Sequence, residues 1–213
     1  MHDSRLRPLV ILGICCLLLP GCGSSPSRVG PPSLSPSRAG SAAMKEYDEN
    51  GDGVVSGAEL DKAPGLNAAL GNLDTDGDGG VSAKEVSARV RSWIDSKIGV
   101  TNARCRISLN GKPLSGGQIT FEPEAFLGDA VKVATDKIDS DGTASPSVAK
   151  EDRVHPMVPG LSVGLYKVRI SRVVNGKETI PAKYNTETLL GQEVAADDPG
   201  MQAQWLDIEL TTK

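Results

Sequence analysis

The chain has 213 residues, a formal net charge of −4 and 3% aromatic residues, beside 24 glycines and 14 prolines. That length holds one or two modest domains, and so few aromatics argue against a large buried core. The charge is uneven: six basic and eleven acidic side chains leave residues 42–100 at −5, and thirteen against fifteen leave 103–213 at −2. Phosphate binding wants a basic face, so a nucleic-acid partner is excluded.

Arg5 and Arg7 precede an apolar run, LVILGICCLLL, at 9–19. A bilayer-spanning helix takes about 20 apolar residues, and the charged-then-apolar order is that of a secretory signal. The run ends in Leu19-Pro20-Gly21-Cys22, which resembles a bacterial lipobox. The resemblance implies a signal peptide over 1–21, a lipid anchor on Cys22 and a place in the bacterial cell envelope. Gly23 stands where an Asp would direct retention at the inner membrane, so the outer membrane is expected. An ordinary secretion signal that happens to contain a cysteine is the alternative. With Cys15 and Cys16 removed and Cys22 acylated, Cys105 is the one remaining thiol and no intramolecular disulfide can form. Residues 22–41 are Gly, Ser and Pro with two Arg, and read as a disordered tether.

From 42 to 100 the same twelve-residue pattern occurs twice, as DENGDGVVSGAE at 48–59 and DTDGDGGVSAKE at 74–85. Both satisfy D-x-[DN]-x-[DN]-G-x5-E. Calcium takes about six to eight oxygens at about 2.3–2.6 Å, more than one side chain offers. Asp48, Asn50 and Asp52, and again Asp74, Asp76 and Asp78, supply oxygens from alternate positions of a tight loop. Gly53 and Gly79 make the sharp turn at position 6. The carbonyls of Val54 and Gly80, waters held by Ser56 and Ser82, and both oxygens of Glu59 and Glu85 complete two shells. Val55 and Val81 at position 8 are placed to join the loops through a short antiparallel bridge. The segment resembles an EF-hand pair, which implies two calcium ions. Helices are expected at 42–47, between the loops on either side of Pro64-Gly65, and at 82–98, where Val86, Val90, Trp93, Ile94 and Ile98 follow helical spacing. Met44 is the one methionine in this segment, so the Met-rich groove of a calcium sensor is missing and constitutive calcium is expected.

After Ala103, alternating strands separated by Gly, Pro and Asn turns indicate an antiparallel sandwich over 103–213. LNGKPLSGGQITFEP, TDKIDSDGTA, GLYKVRIS and IPAKYN are similar in order and spacing to transthyretin-like, carboxypeptidase-regulatory-like domains of bacterial surface lipoproteins. In that family these motifs are scaffold, so the resemblance implies no catalytic residue. Aligned on Gly142 as a third calcium loop, TDKIDSDG fails at both ends, with Lys137 first and Val148 last, and reads as a β-turn. Cys105 falls on the inner face of a half-buried strand.

Enzyme chemistry finds little to work with. His155, between Val154 and Pro156, has no second histidine in the mature chain, and P-loop and dinucleotide motifs are missing. The acid pairs Glu122 with Glu124 and Glu151 with Asp152 read as solvated surface groups. The expected protein is an α+β multidomain chain, an EF-hand pair followed by a transthyretin-like antiparallel sandwich. It is non-enzymatic, exported and lipid-anchored. The alternative is a dockerin-like adhesive module, in which the paired loops bind another cell-surface protein in the presence of calcium.

Overall fold

The computed structural model describes residues 29–203 and 205–212, so the expected signal peptide and the lipidated Cys22 lie outside the described residues. Helix α1 (Pro36–Tyr47) begins six residues before the expected 42. Pro36 sits in the first turn, where its missing N–H is no loss. Ala39, Gly40, Ala43 and Tyr47 recur at helical spacing and are buried. The small ones let α1 lie close on the helix at Ala83–Ser96, where a Cβ on Gly40 would stand 2.2 Å from the Ala83 carbonyl oxygen. Residues 36–41, expected to belong to the tether, are therefore helical, because small residues that suggest disorder serve close helix packing here. Residues 29–35 form no helix, yet the Gly99 N–H donates to the Val29 carbonyl at 2.8 Å.

Between the two acidic loops, the chain leaves the first through one 3-10 turn, Leu60–Lys62, and starts again at Pro64. The short helices α2 (Pro64–Ala68) and α3 (Leu70–Leu73) follow, burying Leu66 and Leu73. Helix α4 (Ala83–Ser96) is the longest; Ser82 and Glu85 form a reciprocal cap at its start and Lys97 ends it in the left-handed conformation. Its buried face carries Val86, Val90 and Trp93.

Strands β1 (Val54–Ser56) and β2 (Gly80–Ser82) pair with each other. Next come β3 (Val100–Thr101), β4 (Cys105–Leu109), β5 (Lys112–Pro113), β6 (Gln118–Pro123), β7 (Ala134–Lys137), β8 (Thr143–Ala144) and β9 (Ser147–Val148). The remainder are β10 (Leu161–Ser162), β11 (Gly164–Ser171), β12 (Val173–Val174), β13 (Lys177–Glu178), β14 (Gly191–Val194) and β15 (Leu206–Leu210), the last preceded by the single turn α5 (Pro199–Gln202). One sheet is antiparallel in the order β14-β11-β6-β7-β9; the other runs β15-β4-β5, with β8 also on β4. Asn110-Gly111 and Asn175-Gly176 supply the positive φ angles that two tight hairpins need.

Two features depart from expectation. The pair β15–β4 is parallel, with Ile208 beside Ile107 and Leu210 beside Leu109, so the β part is not antiparallel throughout. The chain re-enters this sheet after crossing the other one, and the parallel register still keeps the alternating apolar residues on the core side. Strand β14 reads GQEV, too short and polar to announce itself, yet it pairs along β11.

Inward residues of both sheets, among them Ile107, Ile119, Phe121, Val168, Ile170 and Leu210, belong to one contiguous core, an architecture compatible with a sandwich. The fold is thus mixed α and β with several antiparallel sheets. Leu165 and Tyr166 point to opposite faces of β11 and both are fully buried, so both faces are covered there. Helix α2 packs on β11 and β14 and supplies cover on the outer side. Among the described residues no helix is long and apolar enough to cross a membrane.

Cys105 is buried, as its place on β4 predicts. Burial first, and the Asp136 carboxylate second, push its thiol up to about 12. In a chain with Cys15, Cys16 and Cys22 changed to serine, an aromatic disulfide reagent at about pH 8 should leave native Cys105 unlabelled and modify it fully in guanidinium. Native-state labelling at the denatured rate would contradict this placement.

Candidate metal centre

Each acidic loop is a set of carboxylates closed around backbone N–H groups, and the two are built alike. Asp48 accepts from the N–H groups of Gly51, Asp52 and Gly53, and Asp74 from those of Gly77 and Gly79. Gly53 and Gly79 turn the chain at φ 90° and 85°. The closing glutamates repeat one another. Glu59 accepts from Glu49 N at 2.9 Å and Ser56 N at 3.1 Å, Glu85 from Thr75 N at 2.8 Å and Ser82 N at 2.9 Å. Between the loops Val55 stands opposite Val81, with Val54 opposite Ser82 and Ser56 opposite Gly80. The bridge expected at position 8 is therefore formed.

Carboxylate oxygens of Asp74, Asp76 and Asp78 lie within 4.8 Å of one another, the one such gathering of acidic, His or Cys ligands among the described residues. Three hard oxygens at that spacing fit a calcium ion better than a softer metal. In the first loop Asn50 replaces the middle acid, and its amide donates to Asp52 at 2.9 Å. Glu85 and Glu59 are buried while the aspartates lie near the surface. Against the cost of burial, bonds from the N–H groups and hydroxyls of Ser82 and Thr75 hold the Glu85 carboxyl below its usual range. Ser82 stands at position 9, where it is expected to hold a water. Its hydroxyl donates to Glu85 at 2.9 Å and caps α4.

The acids beneath the loops lie elsewhere, Glu193 on β14 and Glu124 just past the end of β6. Glu124, expected at the surface, has 0% exposure, and Glu193 has 1%. Glu124 accepts from the Tyr47 hydroxyl at 2.5 Å and from Gly65 N at 2.8 Å, with Lys167 Nζ at 3.4 Å. Tyr47 immediately precedes loop one, and Gly65 lies on the way out of it. Glu193 accepts from Arg89 Nε at 2.6 Å, Trp93 Nε1 at 2.9 Å and Asn72 Nδ2 at 2.8 Å. Asn72 leads into loop two, and Arg89 and Trp93 lie on α4, which leaves it. Each buried carboxylate thus holds both flanks of one loop.

Close approach makes this geometry possible. A Cβ on Gly65 would meet Glu124 Oε1 at 2.6 Å, and one on Gly191 of β14 would meet the Pro64 carbonyl oxygen at 1.7 Å. Burial pushes the Glu124 carboxyl up, opposed by the Tyr47 hydroxyl, Lys167 and the Gly65 N–H. Burial, then the Glu124 charge, raise the Tyr47 phenol above its ordinary range. Arg89 overcomes its own desolvation through Asp197 and Glu193, which raise its affinity for the proton.

Arg89 and Trp93 stand four apart on the apolar stripe of α4. A buried indole N–H needs an acceptor, so that pairing was the available signal for an acidic partner. His155 is exposed in its loop, where Nδ1 accepts from Met157 N at 3.3 Å. The Asp139–Gly142 segment closes as a turn, with Gly142 N donating to the Asp139 carbonyl at 3.1 Å. No known family model, curated protein or solved structure matches this chain.

The side chain of Arg89 is 10% exposed and that of Asp197 66%, so their substitutions separate. Glu193→Ala should lower unfolding stability by about 3–5 kcal/mol, because it strips a buried charge of its partner. Gly65→Ala should cost about 1–3 kcal/mol through overpacking, and Asp197→Ala less than about 1 kcal/mol. Urea unfolding gives all three, and equal losses for Glu193→Ala and Asp197→Ala would refute the buried anchor.

Proposed function

We propose that this chain is a calcium-binding, lipid-anchored exported protein with a structural or interaction role and no catalytic one. The observation that carries the reading is the duplicated loop with its bridge at Val55 and Val81, over a cluster of Asp74, Asp76 and Asp78. In this reading the two loops and their flanks are an EF-hand pair, and the β part is a transthyretin-like sandwich. Asp48, Asn50, Asp52, Val54 and Glu59, with a water on Ser56, would hold one calcium; Asp74, Asp76, Asp78, Gly80 and Glu85, with a water on Ser82, would hold the other. Loop two offers four carboxylates to loop one's three, and so binds more tightly. Export and anchoring rest on the run at 9–19 and on Cys22.

A sensor must swing its flanking helices apart to expose a groove. Here Tyr47, Gly65, Asn72, Arg89 and Trp93 are tied to buried carboxylates of the sheet, which supports a constitutive ion. The same ties speak against the dockerin-like alternative, since an adhesive pair would turn those flanks towards a partner.

Extracellular modules need Kd values of only about 10⁻⁴–10⁻³ M. At about 10 mM calcium such sites add roughly 1–3 kcal/mol each by mass action. The full chain should therefore melt several degrees higher in calcium than in chelator, and Glu85→Gln should lose much of that gain. Calorimetric titration should show two sites, with magnesium much weaker. Identical melting curves with and without calcium would sink the proposal.

A further inference from the structure

We infer that Glu124 and Glu193 are positioning residues for calcium, each setting the affinity of one loop: Glu124 that of loop one, Glu193 that of loop two. The inference rests on the calcium reading above and adds a division of labour to it.

A twelve-residue loop reaches its ion-binding shape only if its first and last ligands are brought to one place. In loop two the first ligand, Asp74, follows Asn72 by two residues, and the last, Glu85, precedes Arg89 by one helical turn. Asn72 and Arg89 bond opposite oxygens of the same carboxylate: Asn72 Nδ2 meets Glu193 Oε2 at 2.8 Å, and Arg89 Nε meets Oε1 at 2.6 Å. The separation of the two ends of loop two is thus set by the width of one buried carboxylate and its bonds. Loop one is treated the same way. Tyr47, next to Asp48, bonds Glu124 Oε2, and Gly65, six residues past Glu59, bonds Oε1. Its exit is a 3-10 turn with no long helix behind it, so the Gly65 bond is the main anchor on that side.

Neither glutamate touches a proposed ligand. Each acts through the flanks, by removing loop conformations that calcium would otherwise have to freeze out. Linkage makes the effect reciprocal, so calcium in a loop tightens that loop's own carboxylate contact. The β1–β2 bridge joins the loops, which predicts a smaller cross-effect between them.

The test uses calcium alone as probe on the full chain, with one loop disabled at a time: Glu59→Gln leaves loop two and Glu85→Gln leaves loop one. Adding Glu193→Gln should weaken loop two about ten-fold, in the range for supporting residues of metal sites, and loop one by less than about three-fold. Adding Glu124→Gln should do the reverse. Near-ultraviolet circular dichroism confirms the fold before each titration. If Glu193→Gln does not fold, Asn72→Ala removes a single partly exposed bond and should weaken loop two by about three-fold. A purely structural role would loosen both loops alike. Equal weakening of both loops overturns the inference, as do affinities unmoved by either variant in a chain that binds calcium. Failure of the unaltered chain to bind calcium overturns the proposed function as well.

Discussion

Two carboxylates without solvent contact fix how the helical part lies on the sheet, and the remaining geometry follows from satisfying them. A buried ion costs several kcal/mol unless every lone pair it presents is met. Glu193 meets an arginine, an indole and an amide; Glu124 meets a phenol, a backbone N–H and an ammonium. Among the described residues no buried side-chain nitrogen or oxygen lacks a partner. Five of these six donors come from four separate helices and the sixth, Lys167, from β11, so displacing one leaves a buried charge less well met. The helices and the sheet accordingly share one hydrophobic core, without the soft polar interface common between independently moving domains.

The two loops are alike in sequence and unlike in support. Loop two runs directly into α4, whose first turn is closed by the reciprocal cap of Ser82 and Glu85. The same glutamate therefore ends the loop and stands in the first turn of the longest helix, so the last acid of the loop is held by helix geometry. Loop one ends in a 3-10 turn and leans on Gly65 and the tight packing of Pro64 against Gly191. Both loops lean on a buried carboxylate beneath them; loop two has a long helix at its exit besides.

The loops were legible in the sequence because their information is local. Ligand spacing, the glycine at position 6 and the valine at position 8 all lie within twelve residues, and each has a direct backbone consequence. Alternation likewise revealed β4, β6, β11 and β15 and the burial of Cys105. The buried glutamates were not legible. Glu124 stands just past β6, where the chain turns into the 3-10 segment Ala125–Ala130, and nothing near it tells that α1 and α2 cover it. Glu193 stands in GQEV, whose strand character comes from pairing with β11 and not from its own residues. The early start of α1 escaped for a related reason. Ala39 and Gly40 suit an extended tether and a close helix contact equally well, and only the distant Ala83 decides between them.

The parallel pairing of β15 with β4 carries a consequence for how the molecule comes into being. Residues 206–210 lie against 105–109, so about half of the chain must be in place before that sheet can close. Antiparallel hairpins such as β12–β13 can form as they emerge from synthesis, whereas this pair closes a long loop at an entropic cost. Until it does, one side of β4 exposes unpaired backbone and the apolar Ile107 waits for Ile208. A newly made chain thus carries an open strand edge through about half of its elongation, and such edges invite pairing with other chains. The turns inside the acidic loops are local and can form earlier, but the Glu193 anchor of loop two must wait as the sheet does.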